Sequence, residues 1–358
     1  MARIEPYDTA SGKRWRVLYR TPDRRQTTKR GFKTKRDASA FAATIEVDML
    51  QGRYVSPSAS RVTIAELAPG WLDTKRAQLA PSSYRSYEIA WRVHVDPRWG
   101  SLPAGQITRT AVQTWIAELG AQRSRAVATR ALTILSGILA VAVDDKRIAS
   151  NPATGITTPA RARKRRVYLA ARDVERLADN SEHPLLVRVL AYSGLRWGEA
   201  IALTPADIDH ERARIHVHRA VTDVGRQLTV SSPKTPGSTR SVPVPAFLLE
   251  QLAEHTRELG RDDLLFPSPS GGFMYSPDVR RGWYARAVRA AGLQRLTIHD
   301  LRHTAASLAI RSGAPVLAVQ RMLGHTSAAM TLDTYADLFD EDLDDLAARM
   351  DKLYRPQS

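Results

Sequence analysis

The sequence contains no cysteine. Disulfides, thiolate metal sites and cysteine nucleophiles are therefore excluded, and a reducing intracellular compartment fits. A long apolar run is also missing. The longest, Leu132 to Val143, is interrupted by Thr133, Ser136 and Gly137, and it reads as a core helix too short to span a bilayer. The opening residues, MARIEPYDTASGKRW, offer no apolar stretch for a signal peptide, so the expected location is the cytoplasm. No Gly-x-x-x-x-Gly-Lys-Ser/Thr string occurs, so a nucleotide loop of that type is not expected. Negative charge is scarce as well: 37 acidic against 53 basic side chains in 358 residues leave a formal net charge of +16. Such an excess calls for a polyanionic partner, because Lys and Arg that neutralise phosphates release counterions. Nucleic acid is the first candidate, and an anionic membrane surface is the competitor.

The charge is uneven. Residues 1–60 carry a net +7, residues 61–160 +5 and residues 161–358 only +4. The smallest segment is the most basic per residue, which suits a small module in direct contact with a nucleic-acid backbone. Residues 14–20 (RWRVLYR) alternate, Thr21-Pro22-Asp23 reads as a turn, and residues 25–32 supply the next strand or two. From Thr34 to about Gly52 the apolar spacing is helical. The first expected domain, 1–55, is thus a sheet plus a helix, with 56–61 as linker. Between 62 and 156 the pattern predicts helices near 63–79, 82–93, 109–119 and 124–143, a small bundle with Pro81, Pro97, Gly100, Pro103 and Pro152 between or after them. Arg161 to Arg166 (RARKRR) forms a basic linker that tracks a phosphate backbone or is simply solvated. The third domain, 166–358, begins with helices near 171–178 and 183–192. A three-stranded antiparallel segment from 214–221, 227–232 and 239–244 follows, and helices resume from 245. The fold class is therefore mainly α with small β elements.

Five short sites in the third domain hold the side chains needed to cleave a phosphodiester. In Ser193-Gly194-Leu195-Arg196-Trp197-Gly198-Glu199 a helix breaks and another starts beside an arginine, where free N–H groups and a guanidinium fork favour phosphate. In isolation, a surface arginine in a helix connection explains it as well. Lys234, in SSPKTPGSTR, sits at a strand end, from which a lysine can protonate a leaving oxygen if neighbouring cations lower its pKa; an exposed turn lysine is the plain alternative. His299-Asp300-Leu301-Arg302-His303 puts His299 and Arg302 on one helix face. His299 and His303 also have zinc-protease spacing, but Asp300 replaces the glutamate base and Arg302 would crowd the metal. His325 follows Gly324, and Tyr335 lies ten residues further on. A tyrosine phenol can attack phosphorus to form a covalent intermediate, although a lone tyrosine on an amphipathic helix is usually packing.

In order and together, SGLRWGEA, SPKTPGSTRSVPV, HDLRHT and LGHTSAAMTLDTY resemble the tyrosine recombinases, specifically the phage integrase branch. The resemblance implies an arm-type DNA-binding domain in 1–55, a core-type, SAM-like helical domain in 62–156 and a catalytic domain in 166–358. It implies a catalytic set of Arg196, Lys234, His299, Arg302, His325 and Tyr335. In it the two arginines clamp the scissile phosphate, Lys234 acts as general acid, His299 acts on the tyrosine proton, His325 bonds the phosphate, and Tyr335 forms a 3′-phosphotyrosyl link. No metal or other cofactor is implied. Glu199 is expected to support its helix or pair with a motif arginine, and His303 to pack or buttress. The partners implied are double-stranded attachment sites of core and arm type, a homotetramer on DNA, a host DNA-bending factor and a directionality factor for excision. The acidic stretch Asp337 to Asp345 is expected to dock on a neighbouring subunit or to be a solvated helix. Two other readings remain: a type IB topoisomerase-like enzyme acting on one duplex, and a DNA-binding regulator that has lost catalysis.

Overall fold

A computed structural model of the chain describes residues 2–22, 24–160, 167–231, 239–339 and 350–351. Lys234, the basic run 161–166 and most of the acidic stretch lie outside the described residues. Two compact units divide the chain, Met1–Ala162 and Arg163–Ser358.

The first unit contains two hydrophobic clusters with no residue in common. Strands β1 (Arg3–Thr9), β2 (Gly12–Arg20) and β3 (Gln26–Phe32) form an antiparallel sheet in sequence order. Helix α1 (Lys35–Leu50) begins at Thr34, whose side chain accepts the Asp37 N–H, a cap worth about 1 kcal/mol. It lays Ala38, Ala42 and Ile45 over Val17 and Tyr19. The alternation of residues 14–20 reveals β2, but β1 escapes the pattern because RIEPYDT contains Pro6. Proline is tolerated there because β1 is an edge strand.

The second cluster belongs to the bundle of α2 (Ile64–Gln78), α3 (Pro81–Ala90), α4 (Arg109–Gln122) and α5 (Arg125–Asp144). Thr63, Thr108 and Ser124 cap three of the four, and Glu66 closes a capping box with Thr63. Pro97, expected between helices, instead lies inside a π-helical continuation of α3, Trp91–Gly100, with its ring on the exposed side. The breaks in the α5 apolar run each have a local cause. Thr133 bonds back to the Thr129 carbonyl, and Asn151 donates to the Ser136 carbonyl. Gly137 admits Trp71 so closely that an added Cβ would lie 2.4 Å from its ring. With its 20 residues, α5 is long and apolar enough to cross a bilayer. In the fold its apolar side is the bundle core, where Ile134, Leu135, Ile138 and Leu139 are fully buried.

The second unit packs α6 (Ala171–Asp179), α7 (Pro184–Ser193), a four-residue helix α8 (Trp197–Ala200) and later helices around one large cluster. Its sheets differ from the expectation in composition. The three-stranded antiparallel sheet consists of β4 (Ile208–Asp209), β5 (Arg214–Val217) and β8 (Arg240–Pro243), whereas β6 (Ala220–Val224) pairs with β7 (Gln227–Ser231) as a separate ribbon. RIHVHRAV thus splits at His218-Arg219. The reason is Arg219, whose guanidinium reaches the Ala202 carbonyl, Thr204 Oγ1 and Asp207 Oδ2 and fixes the chain at a corner. Helices α9 (Ala246–Thr256), α10 (Trp283–Ala290), α11 (Ile298–Arg311), α12 (Val316–Leu323) and α13 (Ala328–Phe339) complete the unit. Helices resume from 245 with a long break after α9, over residues 257–282. Packing of α11 on α7 and α13 brings the motif segments together.

Candidate active site

Three chain segments meet at Arg302. The first is the end of α7, where Gly194 takes a left-handed conformation (φ 67°). A Cβ on Gly194 would also lie 2.8 Å from Leu323 Cδ2, so both the backbone and the space require glycine. The second is α11, entered through Thr297 and Asp300, whose carboxylate accepts the Thr297 N–H and hydroxyl. The third is the end of α12, closed by the left-handed Gly324. Arg302 is 3% exposed, and it donates from Nη1 to the Gly194 carbonyl at 2.7 Å and from Nη2 to the Leu323 carbonyl at 2.5 Å. Burial, and then the charge of Arg196, lower its pKa to about 9, so it stays a cation at neutral pH.

Arg196 precedes α8 and is the more open of the two arginines. Its Nη1 donates to Glu199 Oε1 and its backbone N–H to Oε2, both at 2.8 Å. Glu199 both supports its short helix and pairs with a motif arginine. It also accepts a fork from Arg240, which the sequence did not single out, with Nη1 on Oε1 at 3.0 Å and Nη2 on Oε2 at 2.8 Å. Burial pushes the Glu199 carboxyl up, but the bonds and charge of Arg240 and Arg196 outweigh it and hold the pKa at about 2. Gly198 beside it is held close to β6: an added Cβ would meet the Val221 carbonyl oxygen at 2.2 Å.

Tyr335 is 1% exposed, in a cluster with Ala306, Ile310, Val319, Leu323 and Leu338. Helix α13 kinks at this residue (φ −129°, ψ 16°). Its phenol oxygen shares a hydrogen bond of 2.8 Å with Nδ1 of His303, and the Tyr168 ring lies 6.4 Å away, centroid to centroid. The histidine on the phenol is therefore His303, expected only to pack or buttress. His299 sits one turn earlier on α11, its ring edge-on to that of His303 at 5.0 Å. His299 has a lowered pKa, through burial and then the charge of Arg302. His325 Nδ1 meets Thr331 Oγ1 at 2.9 Å, and burial followed by the Arg302 charge lowers its pKa to about 4. Both rings are neutral at pH 7. Arg196, His299, Arg302, His325 and Tyr335 thus belong to one electrostatically connected group. Among the described residues no group of three or more His, Asp or Glu side chains is arranged to hold a metal.

The arrangement offers a buried phenol with a histidine on its oxygen and more guanidinium than carboxylate charge nearby, which suits a group that carries negative oxygens. Residues 168–342 match the phage integrase family, residues 7–49 an arm DNA-binding domain, and residues 63–120 the N-terminal SAM-like domain of phage integrases. The putative prophage phiRv2 integrase of Mycobacterium tuberculosis (strain ATCC 25618 / H37Rv) is 29% identical over 333 residues, covering 89% of this chain and 88% of that protein. Among solved structures, the Tn1549 transposon integrase in complex with circular intermediate DNA aligns with a TM-score of 0.66 at 21% identity, covering 82% of this chain and all of that one. A lambda integrase tetramer bound to a Holliday junction aligns with a TM-score of 0.58 at 19% identity, over 90% of this chain and 96% of that one. At these identities the two structures speak for the fold.

Proposed function

The chain belongs to the phage integrase family of tyrosine recombinases, and from that premise we propose that Tyr335 is the nucleophile of its site-specific recombination. It is an integrase, and its arm and SAM-like domains bind DNA. The phenol oxygen attacks the scissile phosphorus, the bond to the 5′ oxygen breaks, and a 3′-phosphotyrosyl link holds the strand. Arg196 and Arg302 face the non-bridging oxygens and offset the charge that builds on them. The phenol proton passes to a histidine of α11, with His303 nearest and His299 one turn away. Neutral His325 donates a hydrogen bond to the phosphate. Lys234 protonates the departing 5′ oxygen. Because the link conserves the phosphodiester's energy, the 5′ hydroxyl of another strand reseals it.

The observation that carries this reading is the buried Tyr335 phenol, bonded to His303 and within the electrostatic reach of Arg302. The lambda integrase tetramer on a Holliday junction supports assembly of four copies on two duplexes. A host DNA-bending protein and a directionality factor for excision belong to the same proposal, as does action in the cytoplasm of a bacterial host. The test is a nicked duplex carrying an attachment site from the DNA flanking the gene, on which the cleaved end diffuses away and resealing fails. Wild type accumulates a covalent protein–DNA adduct and Tyr335→Phe accumulates none. An adduct that survives the substitution removes Tyr335 from this role.

A further inference from the structure

The last turn of α12 leaves four carbonyls without helical partners, and all four find donors. The Gln320 and Arg321 carbonyls accept the N–H groups of His325 and Gly324. The Leu323 carbonyl accepts from Arg302. The Met322 carbonyl accepts Nε of Arg240 at 2.8 Å. Two buried guanidiniums thus finish one helix end, where cations are favoured, and both reach it from outside the helix. Arg240 has a side chain 6% exposed, and its other two nitrogens form the fork on Glu199. It also lies against Gly324, where an added Cβ would be 3.0 Å from Arg240 Cδ and the backbone φ is +64°.

Arg240 therefore touches the two segments that carry Arg196 and His325, and it is the first residue of β8, six positions after Lys234 in the sequence. Its planar fork fixes the carboxylate in plane, and the carboxylate in turn holds both the backbone and the guanidinium of Arg196. A lysine would retain the charge without that geometry. We infer that Arg240 is a positioning residue for DNA cleavage: acting through Glu199 it aims Arg196 at the scissile phosphate, and through the Met322 carbonyl it sets the turn that presents His325. In this role Arg240 works through its neighbours, with Nε on the Met322 carbonyl and Nη1 and Nη2 on the Glu199 carboxylate.

The inference rests on the assignment of Tyr335 as nucleophile, and the two fail differently. The measurements use the full-length chain on the nicked duplex: DNA affinity by mobility shift, the thermal transition, and the rate of adduct formation at saturating DNA. Arg240→Lys is expected to bind DNA within about twofold of wild type and to form adduct about tenfold more slowly or worse, as a small misplacement of a clamping group does. Glu199→Gln is expected to slow adduct formation to a similar degree. The double variant should be no more than about twofold slower than the worse single one, because both changes break the same link. A residue that only held the fold would lower the thermal transition but leave the adduct rate of the folded protein at the wild-type value. A wild-type rate for Arg240→Lys, or independent effects in the double variant, overturns the inference. If Arg240→Lys loses its cooperative transition, Glu199→Gln decides from the other side of the link, and a wild-type rate there overturns it too. Absence of any adduct with wild-type protein would instead sink the nucleophile assignment.

Discussion

The interior of the α2–α5 bundle and the cluster around Arg302 both bury their central side chains, yet opposite chemistry holds them. In the first, Ile134, Leu135, Ile138 and Leu139 are fully buried and the attraction is non-directional. In the second, Arg302 reaches the Gly194 and Leu323 carbonyls, while Arg240 and Arg196 converge on the Glu199 carboxylate. Burying those ions costs desolvation that pairing barely recovers. The bundle interior is what stability alone produces. The arginine cluster keeps more positive charge than its carboxylate neutralises, and in the proposed function the negative oxygens of a phosphodiester answer that surplus. That surplus is visible in the depressed pKa values of Arg302 and His325, each lowered by burial and by neighbouring guanidiniums.

The sharpest way to separate the two interiors is to damage the apolar one. Leu135→Ala should lower the unfolding free energy by about 2–5 kcal/mol, the range for leucine cavities, measured by urea denaturation. The adduct rate of the folded fraction at saturating DNA should stay at the wild-type value. If the rate collapses while stability is preserved, the division between a structural and a chemical interior is wrong.

Acid should act on the other interior. Glu199 has a folded pKa of about 2 against an ordinary value of 4.5. As pH falls, the unfolded chain takes up this proton first. The contribution of Glu199 is therefore complete above about 4.5 and is lost as pH drops toward 2, amounting to a few kcal/mol at most. Urea unfolding of wild type and Glu199→Gln between neutral pH and about pH 2.5 should show the wild-type advantage shrinking. Parallel curves would mean that the carboxylate is not held by its arginines.

The same contrast explains what could be read in advance. The bundle was legible because its information is local: apolar spacing along each helix, with Pro81, Pro103 and Pro152 between or after the helices. Pro97 misled because a π-helical turn accommodates it without ending the helix. In the second unit the motif strings pointed to Arg196, Lys234, His299, Arg302, His325 and Tyr335 only in order and together, through their resemblance to the tyrosine recombinases, since each site alone has a plain structural explanation. Arg240 and His303 carry no such mark. Arg240 finds Glu199 at 41 positions' distance and Met322 at 82, and His303 finds Tyr335 at 32. Pairings of that separation are set by the packing of α11, α12 and β8 together. Arg219 repeats the lesson: its bonds to Ala202, Thr204 and Asp207 split what reads as one continuous strand.

The smallest expected effect falls on a neutral contact at the edge of the charged interior. Thr331 is fully buried and its hydroxyl meets His325 Nδ1 at 2.9 Å. With a pKa lowered to about 4, the ring is neutral at pH 7 and carries one proton. If the hydroxyl donates to Nδ1, that proton is held on Nε2, where it can be given to a phosphoryl oxygen. Thr331→Val removes the donor and lets the proton occupy either nitrogen. A net hydrogen bond is worth about 0.5–1.5 kcal/mol, so adduct formation should slow by roughly threefold to tenfold while DNA affinity is unchanged. Nitrogen-15 shifts of His325 should move from one tautomer to a mixture. A variant that keeps both the single tautomer and the wild-type rate would mean that the arginines alone orient this ring, and the charged interior would then need no neutral support.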